Sequence, residues 1–267
     1  MPETAGYNTL IKISGALVSM VGEATTEAAS QLIYQITSEA KRVLDRLATI
    51  RVHKKGANDS AEAATTTTTI KMAAHGLVVG DLICNTTRGS AYRLVLTRPD
   101  ADTITVAAVT SQASGDVIEK YPTEAATLYT LNRLNGSVTY GSATSRVIKI
   151  SGDYLPMTTA AYASQMTRND ACELLDKTVF GDDHRKRTAG LKAASGALTN
   201  FYSADETYTA ALEAGEPIVL EDRPISTDEP NRTWALLESS EVAAAVDGLQ
   251  TQVVSWVSYD EWLRLGV

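Results

Sequence analysis

Apolar and polar residues alternate along most of this chain. Ile11 and Ile13, Ile50 and Val52, Ile104 and Val106, Ile148 and Ile150, and Val254 and Trp256 each sit two apart between polar neighbours. A period of two belongs to the extended strand, which turns one face to a core and the other to solvent or a partner. Turn signals cut the runs into short pieces: "GSAT" at 141–144, "NGS" at 135–137 and "HKKGANDS" at 53–60. Eleven Tyr against two Phe and three Trp, amid abundant Thr, Ala, Val and Ser, suit pleated surfaces better than a helical bundle. The expected fold is mainly β: an antiparallel sandwich or barrel with one short flanking α-helix and an inserted small, SH3-like barrel.

The helix is expected at about 204–214, in "SADETYTAALEAGEP". Ser203 and Glu206 have capping-box spacing, and Tyr208, Ala211 and Leu212 share a face. Gly215 offers a left-handed C-terminal cap, and Pro217 blocks continuation into the strand "IVLEDR". "TEAASQLIYQI" reads either as helix or, in its second half, as strand.

Residues 63–122 read as a separate small β module. They open on "AATTTTTI", and tight turns follow at His75-Gly76, Gly80-Asp81 and Pro99-Asp100. The flanks "RVLDRLATIRVHKK" and "LYTLNRLNGSVTYG" look like strands of one host domain. The expected organisation is a discontinuous domain over 1–62 and 123–267 with the module inserted. "IKISG" occurs at 11–15 and again at 148–152, which suggests two strands entering comparable turns rather than a duplicated domain.

A formal net charge of −8 argues against tight nucleic-acid binding and against docking on an anionic membrane. It suits a surface that DNA passes without sticking. Cys84 and Cys172 stand far apart with no CxxC partner, and are expected to be reduced and buried. "MPETAGYNTLIKISGALVSM" lacks a basic leader region and reads as a strand, so a non-secreted chain is expected. No nucleophile elbow, Walker loop or dinucleotide loop occurs, and His53, His75 and His184 fit no metal-ligand spacing. No enzyme activity, cofactor or metal is therefore expected. His75 and Asp81 in "AHGLVVGD" could form an acid–base pair, but read first as turn caps.

The densest charge lies in "TVFGDDHRKRTAGLK", residues 178–192. Its flanks, "LLDKTVFGD" and "AGLKAASGALTNFY", alternate like strands, so the charges fall at a turn. Phe180 before Gly181 sets an apolar anchor and a flexible turn at the base of the charged tip.

The order of residues here resembles the tail tube (major tail) proteins of long-tailed bacteriophages. The shared positions are Leu175, Asp176, Thr178, Phe180, Gly181 and Asp182, then Lys186, Arg187, Gly190, Leu191 and Lys192, then Ser195, Gly196, Leu198, Phe201 and Tyr202. Gly215 and Val219-Leu220-Glu221 continue it, as do "GEATTE", "IYQITSEAKRVLD", "TIRV", "LNGSVTYG" and "ISGDYLP" elsewhere. The resemblance covers most of 5–58 and 123–230, and the 63–122 insertion departs from a minimal tube subunit. It implies a structural virion protein assembled in the bacterial cytoplasm as hexameric rings, stacked into a hollow conduit for DNA. The implied partners are further copies of the chain, the tape measure, the tail terminator and the baseplate or tip. Phe180, Gly181, Asp182, Asp183, Arg185, Lys186 and Arg187 then become a candidate inter-subunit contact loop, where mixed charges set register. A tail-completion or head–tail connector subunit is the alternative, and a receptor- or carbohydrate-binding module a third reading.

Overall fold

A computed structural model of the chain describes residues 10–63, 65–89, 91–108, 112–160, 163–179, 184–201, 207–223, 229–243 and 250–263. The first strands are β1 (Leu10–Ser14), β2 (Val18–Ala29), β3 (Ile33–Ile36) and β4 (Arg51–Lys54). Six short ones follow: β5 (Asp59–Ser60), β6 (Thr69–Lys71), β7 (Leu82–Asn85), β8 (Arg93–Thr97), β9 (Thr103–Val106) and β10 (Val117–Tyr121). Then come β11 (Tyr129–Asn132), β12 (Ser137–Tyr140), β13 (Ile148–Tyr154) and β14 (Met157–Thr159). The chain continues through β15 (Ala163–Asp176), β16 (Arg187–Phe201), α1 (Thr207–Ala214), β17 (Ile218–Arg223), β18 (Asn231–Ala243) and β19 (Thr251–Leu263). The fold is mainly β, and the described strand pairs are antiparallel.

Two compact units result, one of residues 1–15 with 157–267 and one of residues 16–156. These bounds fall elsewhere than the expected breaks at 62/63 and 122/123. The first unit holds a seven-stranded sheet in the order β14-β1-β17-β18-β19-β16-β15. The second holds two six-stranded sheets, β5-β10-β7-β8-β9-β6 and β11-β12-β3-β2-β13-β4. The strands lying in 63–122 share the former sheet with β5, around a core of Ile70, Met72, Leu77, Ile83, Val95, Ile104 and Ile118. Tyr34, Ile36, Val52, Val138, Ile148 and Ile150 form the core of the other.

Alternation explains these cores. Ile11 with Ile13, Ile104 with Val106, Ile148 with Ile150, and Val254 with Trp256 are all buried, each pair two residues apart on one strand. The ambiguous "TEAASQLIYQI" is strand on both sides of a reversal at Ser30 (φ 42) and Gln31 (φ 59). β3 is held between β2 and β12, and this pairing overrides its local helical preference. The two "IKISG" copies do not enter comparable turns: Gly15 ends the first stretch of the first unit, whereas Gly152 lies inside β13 at a register shift. The helix is present over Thr207–Ala214, and Ser203 and Glu206 of the expected cap lie outside the described residues. Tyr208 is buried, with Ala211 and Leu212 packed on the same core. At φ +64 Gly215 closes the helix, its N–H reaching the Ala211 carbonyl at 3.1 Å and that of Leu212 at 3.2 Å. Cys84 is buried in β7, but Cys172 is exposed on β15, contrary to expectation, because its stretch of strand has no covering layer.

Trp256 anchors the core of the first unit. Its indole lies over Gly196 on the paired strand β16, where an added Cβ would meet the ring carbon Cζ2 at 2.8 Å and the Thr167 carbonyl oxygen at 2.0 Å. On the face of β17 opposite Leu220, Glu221 is fully buried. It accepts from Arg232 Nε at 2.7 Å and Arg223 Nε at 2.9 Å, with Lys12 Nζ at 3.2 Å. Burial alone would raise the Glu221 pKa, but these cations, Arg232 foremost, hold it below its ordinary value. A depressed carboxylate stabilises the fold above its unfolded pKa, so this contribution is present at neutral pH and lost as the medium acidifies past that range.

Glu221→Gln is expected to cost about 3 kcal/mol at pH 7, by leaving buried cations unpaired. The difference from wild type should shrink on acidification, as read from urea unfolding. Gly196→Ala is expected to cost about 2 kcal/mol, since β15 and the indole must both move. An unchanged unfolding midpoint for Gly196→Ala would contradict the interlock.

Candidate assembly surface

β15 and β16 form the longest hairpin, paired from Ala163 with Asn200 to Asp176 with Arg187. β19 supports β16 only over residues 195–201, and β15 has no other neighbour among the described strands. Ala194 is still buried, its N–H reaching Ser258 Oγ of β19 at 2.9 Å, so the hairpin is a bare two-stranded ribbon among the described residues from the Ala171–Ala193 pair outward. Six residues at ~3.4 Å each carry it roughly 20 Å beyond the sheet. Residues 171–179 of this ribbon are all exposed.

Its surface is not that of a solvated hairpin. Leu174 is 59% exposed, Val179 66% and Leu191 81%, with Leu175 exposed beside them. Leu174 and Leu175 are successive, so strand geometry puts one apolar side chain on each face. A two-stranded ribbon is marginally stable alone in water, and its unpaired edge is open to another chain. The register shift between Cys172 and Leu174 turns that edge without covering it.

Backbone and side-chain bonds close the ribbon near its tip. The Lys177 N–H donates to the Lys186 carbonyl at 2.8 Å, and the Lys186 N–H to Thr178 Oγ1 at 3.1 Å. Thr178 in turn gives its hydroxyl and its N–H to Asp176 Oδ1. Those two donors hold the Asp176 carboxyl below its usual range. Of the expected contact loop, Arg185, Lys186 and Arg187 are exposed where β16 begins. Phe180, Gly181, Asp182 and Asp183 lie outside the described residues. Leu174 and Leu175 have the character of core residues, and they are exposed because β15 has no second neighbour among the described strands.

The other candidate residues serve turns. His75 Nδ1 accepts the Leu77 N–H at 2.9 Å. Asp81 accepts the Val78 N–H at 2.8 Å and, through its second oxygen, the Thr123 N–H at 2.8 Å. The two side chains cap backbone separately, as the turn reading expects. Among the described residues no group of three or more His, Cys, Asp and Glu is placed to hold a metal ion.

No protein-family model matches this chain, and no curated protein matches it. Among solved structures it is similar to a chain in the tail of an empty gene transfer agent particle refined helically with C6 symmetry, at 15% identity and a TM-score of 0.38. That likeness covers 42% of this chain and 87% of the other. A chain in the virion of a native gene transfer agent particle is similar at 15% identity and a TM-score of 0.36, over 40% of this chain and 86% of that one.

Leu174→Asp combined with Leu191→Asp should change folding stability by no more than about 0.5 kcal/mol, because both sites are exposed. The same pair should abolish self-association in sedimentation velocity. Association at wild-type strength would remove the ribbon from the contact surface.

Proposed function

We propose that this chain is a tail tube subunit, forming hexameric rings that stack into a hollow conduit through which phage DNA passes. The observation that carries the reading is the β15–β16 ribbon, unsupported among the described residues, with exposed leucines on both faces and Arg185, Lys186 and Arg187 exposed where β16 begins. The residues resembling the tube family run directly through it, from Leu175 to Phe201. A ribbon that cannot cover its own apolar side chains is completed by a neighbouring subunit. Head-to-tail contacts of this kind close into rings or extend into stacks.

Charge supports the same reading. The stretches 1–15 and 157–267 carry 10 basic and 19 acidic residues, whereas 16–156 carries 14 and 13. The excess acid of the chain thus belongs to the unit with the ribbon. A wall of that sign repels phosphates and lets DNA slide, where a basic wall would hold it by counterion release. In this reading 63–122 is an insertion carried on the tube, and the ribbon, with Arg185, Lys186 and Arg187, makes the inter-subunit contact. The same assembly places the protein in the virion tail, with tape measure, terminator and tip proteins as partners.

Electron microscopy of the purified full-length chain tests the proposal. Stacked rings or tubes are expected, and Arg185→Ala with Lys186→Ala and Arg187→Ala should impair them without unfolding the subunit. Single rings that never stack would favour a connector subunit. A monomer that persists at high concentration and binds a glycan would overturn both.

A further inference from the structure

His53 is fully buried in β4 of the second unit, and neither the ribbon nor any described turn cap employs it. Its Nε2 lies 3.0 Å from Ser151 Oγ on β13, and that oxygen already accepts the Gly22 N–H of β2 at 2.9 Å. On the other side of the ring, Nδ1 lies 3.3 Å from Thr123 Oγ1, and the ring also bonds to the Tyr121 backbone. Thr123 donates its hydroxyl to the Gly80 carbonyl at 3.3 Å and its N–H to Asp81. One imidazole therefore joins three strands of one sheet to the 78–81 turn that enters β7 and the 121–123 segment that leaves β10, both of the other sheet.

The pattern satisfies a neutral ring. The Ser151 hydroxyl donates into Nε2, and the Nδ1 proton points to the Thr123 hydroxyl. A second ring proton would need Ser151 to turn its hydroxyl away, and would bring a charge into a site closed to water. The charged groups around the ring do not supply a counterion free to move. Arg51, two residues earlier on β4, repels a ring charge, and Asp81 attracts it but is held by two backbone N–H groups. Lys149, paired with His53 on β13, sits over the Tyr92 ring at 4.4 Å. On β10, Glu119 is paired with Lys55 and Lys120 with Asp59, while Glu124 lies 3.9 Å from Lys54.

We propose that His53 is an acid-sensitive latch between the two sheets of the second unit. The neutral ring ties the 78–81 turn and the 121–123 segment to β2, β4 and β13. Its protonation releases that tie while the first unit stays folded. Burial, helped by Arg51 and opposed by Asp81, lowers the pKa of the ring from 6.5 to about 4. An opened latch takes up its proton below about 6.5, and the closed one only near 4. The latch is thus at full strength above pH 6.5, weakens as pH falls toward 4, and changes no further below that. At pH 4.5 it should be open roughly 60-fold more often than at pH 7.

Hydrogen exchange of the full chain at pH 7 and pH 4.5, corrected for intrinsic rates, tests this. Peptides covering 50–54, 78–82, 121–124 and 148–152 should lose protection by about that factor, while β18 and β19 keep theirs. His53→Gln retains a donor and an acceptor but cannot titrate, so its loss should shrink to a few-fold. That comparison also separates His53 from His75, which is buried in the same unit. Arg51→Gln removes the repelling cation, brings the closed-state pKa nearer the open one, and should reduce the loss of protection at pH 4.5. Equal acid loosening in His53→Gln and wild type would overturn the latch, as would uniform loss across both units. Should His53→Gln fail to fold, an undiminished loss at pH 4.5 in Arg51→Gln overturns it alone.

Discussion

The closest constraint in the first unit is the seat of Trp256 on Gly196. Burying an indole of this size contributes about 5 kcal/mol as an upper figure, and the ring reaches its place only because residue 196 has no side chain. The Thr167 carbonyl approaches from the other side, so three strands meet at one glycine. β19 and β16 are thereby locked at their inner ends, and β15 is held where it joins them. Outward of the Ala171–Ala193 pair, the described residues of β15 and β16 have only their own hairpin pairing. The rigid base and the bare ribbon follow from the same packing.

Polar groups are treated differently in the two units. Beneath β1, β17 and β18 one carboxylate is surrounded by Lys12, Arg223 and Arg232, an arrangement that stays ionised at neutral pH. Around His53 the second unit relies on hydroxyls and backbone groups, which satisfy a ring only while it is uncharged. Acid therefore weakens both units, through a carboxylate that must take a proton in one and an imidazole that must take one in the other. The imidazole responds first, because its unfolded pKa lies about two units higher.

Much of this architecture was legible in the residues. Two-residue alternation marked the cores of β1, β9, β13 and β19, and Gly215 with Pro217 marked the end of α1. His75 and Asp81 could be assigned to turns because each lies within three residues of a backbone N–H that it caps. The hairpin of the charged segment was visible as alternation on both flanks of "FGDDHRKR". Its apolar outer surface was not, since Leu174 and Leu175 have the composition of buried strand residues. Cys172 misled for the same reason: a small apolar residue in an alternating run reads as core until the neighbouring strand proves to be missing.

Alternation, turn residues and a helix cap depend on neighbours a few positions away, so sequence alone determined that this chain is antiparallel β with one short helix and a charged hairpin tip. Where a strand finds its second partner depends on residues far along the chain, as β16 does with β19 and β3 with β12. Only the tertiary structure decided that β15 has one neighbour among the described strands, that Gly196 receives Trp256, and that His53 meets Ser151 and Thr123. Local pattern specifies which face of a strand is apolar, and long-range pairing specifies whether anything covers it.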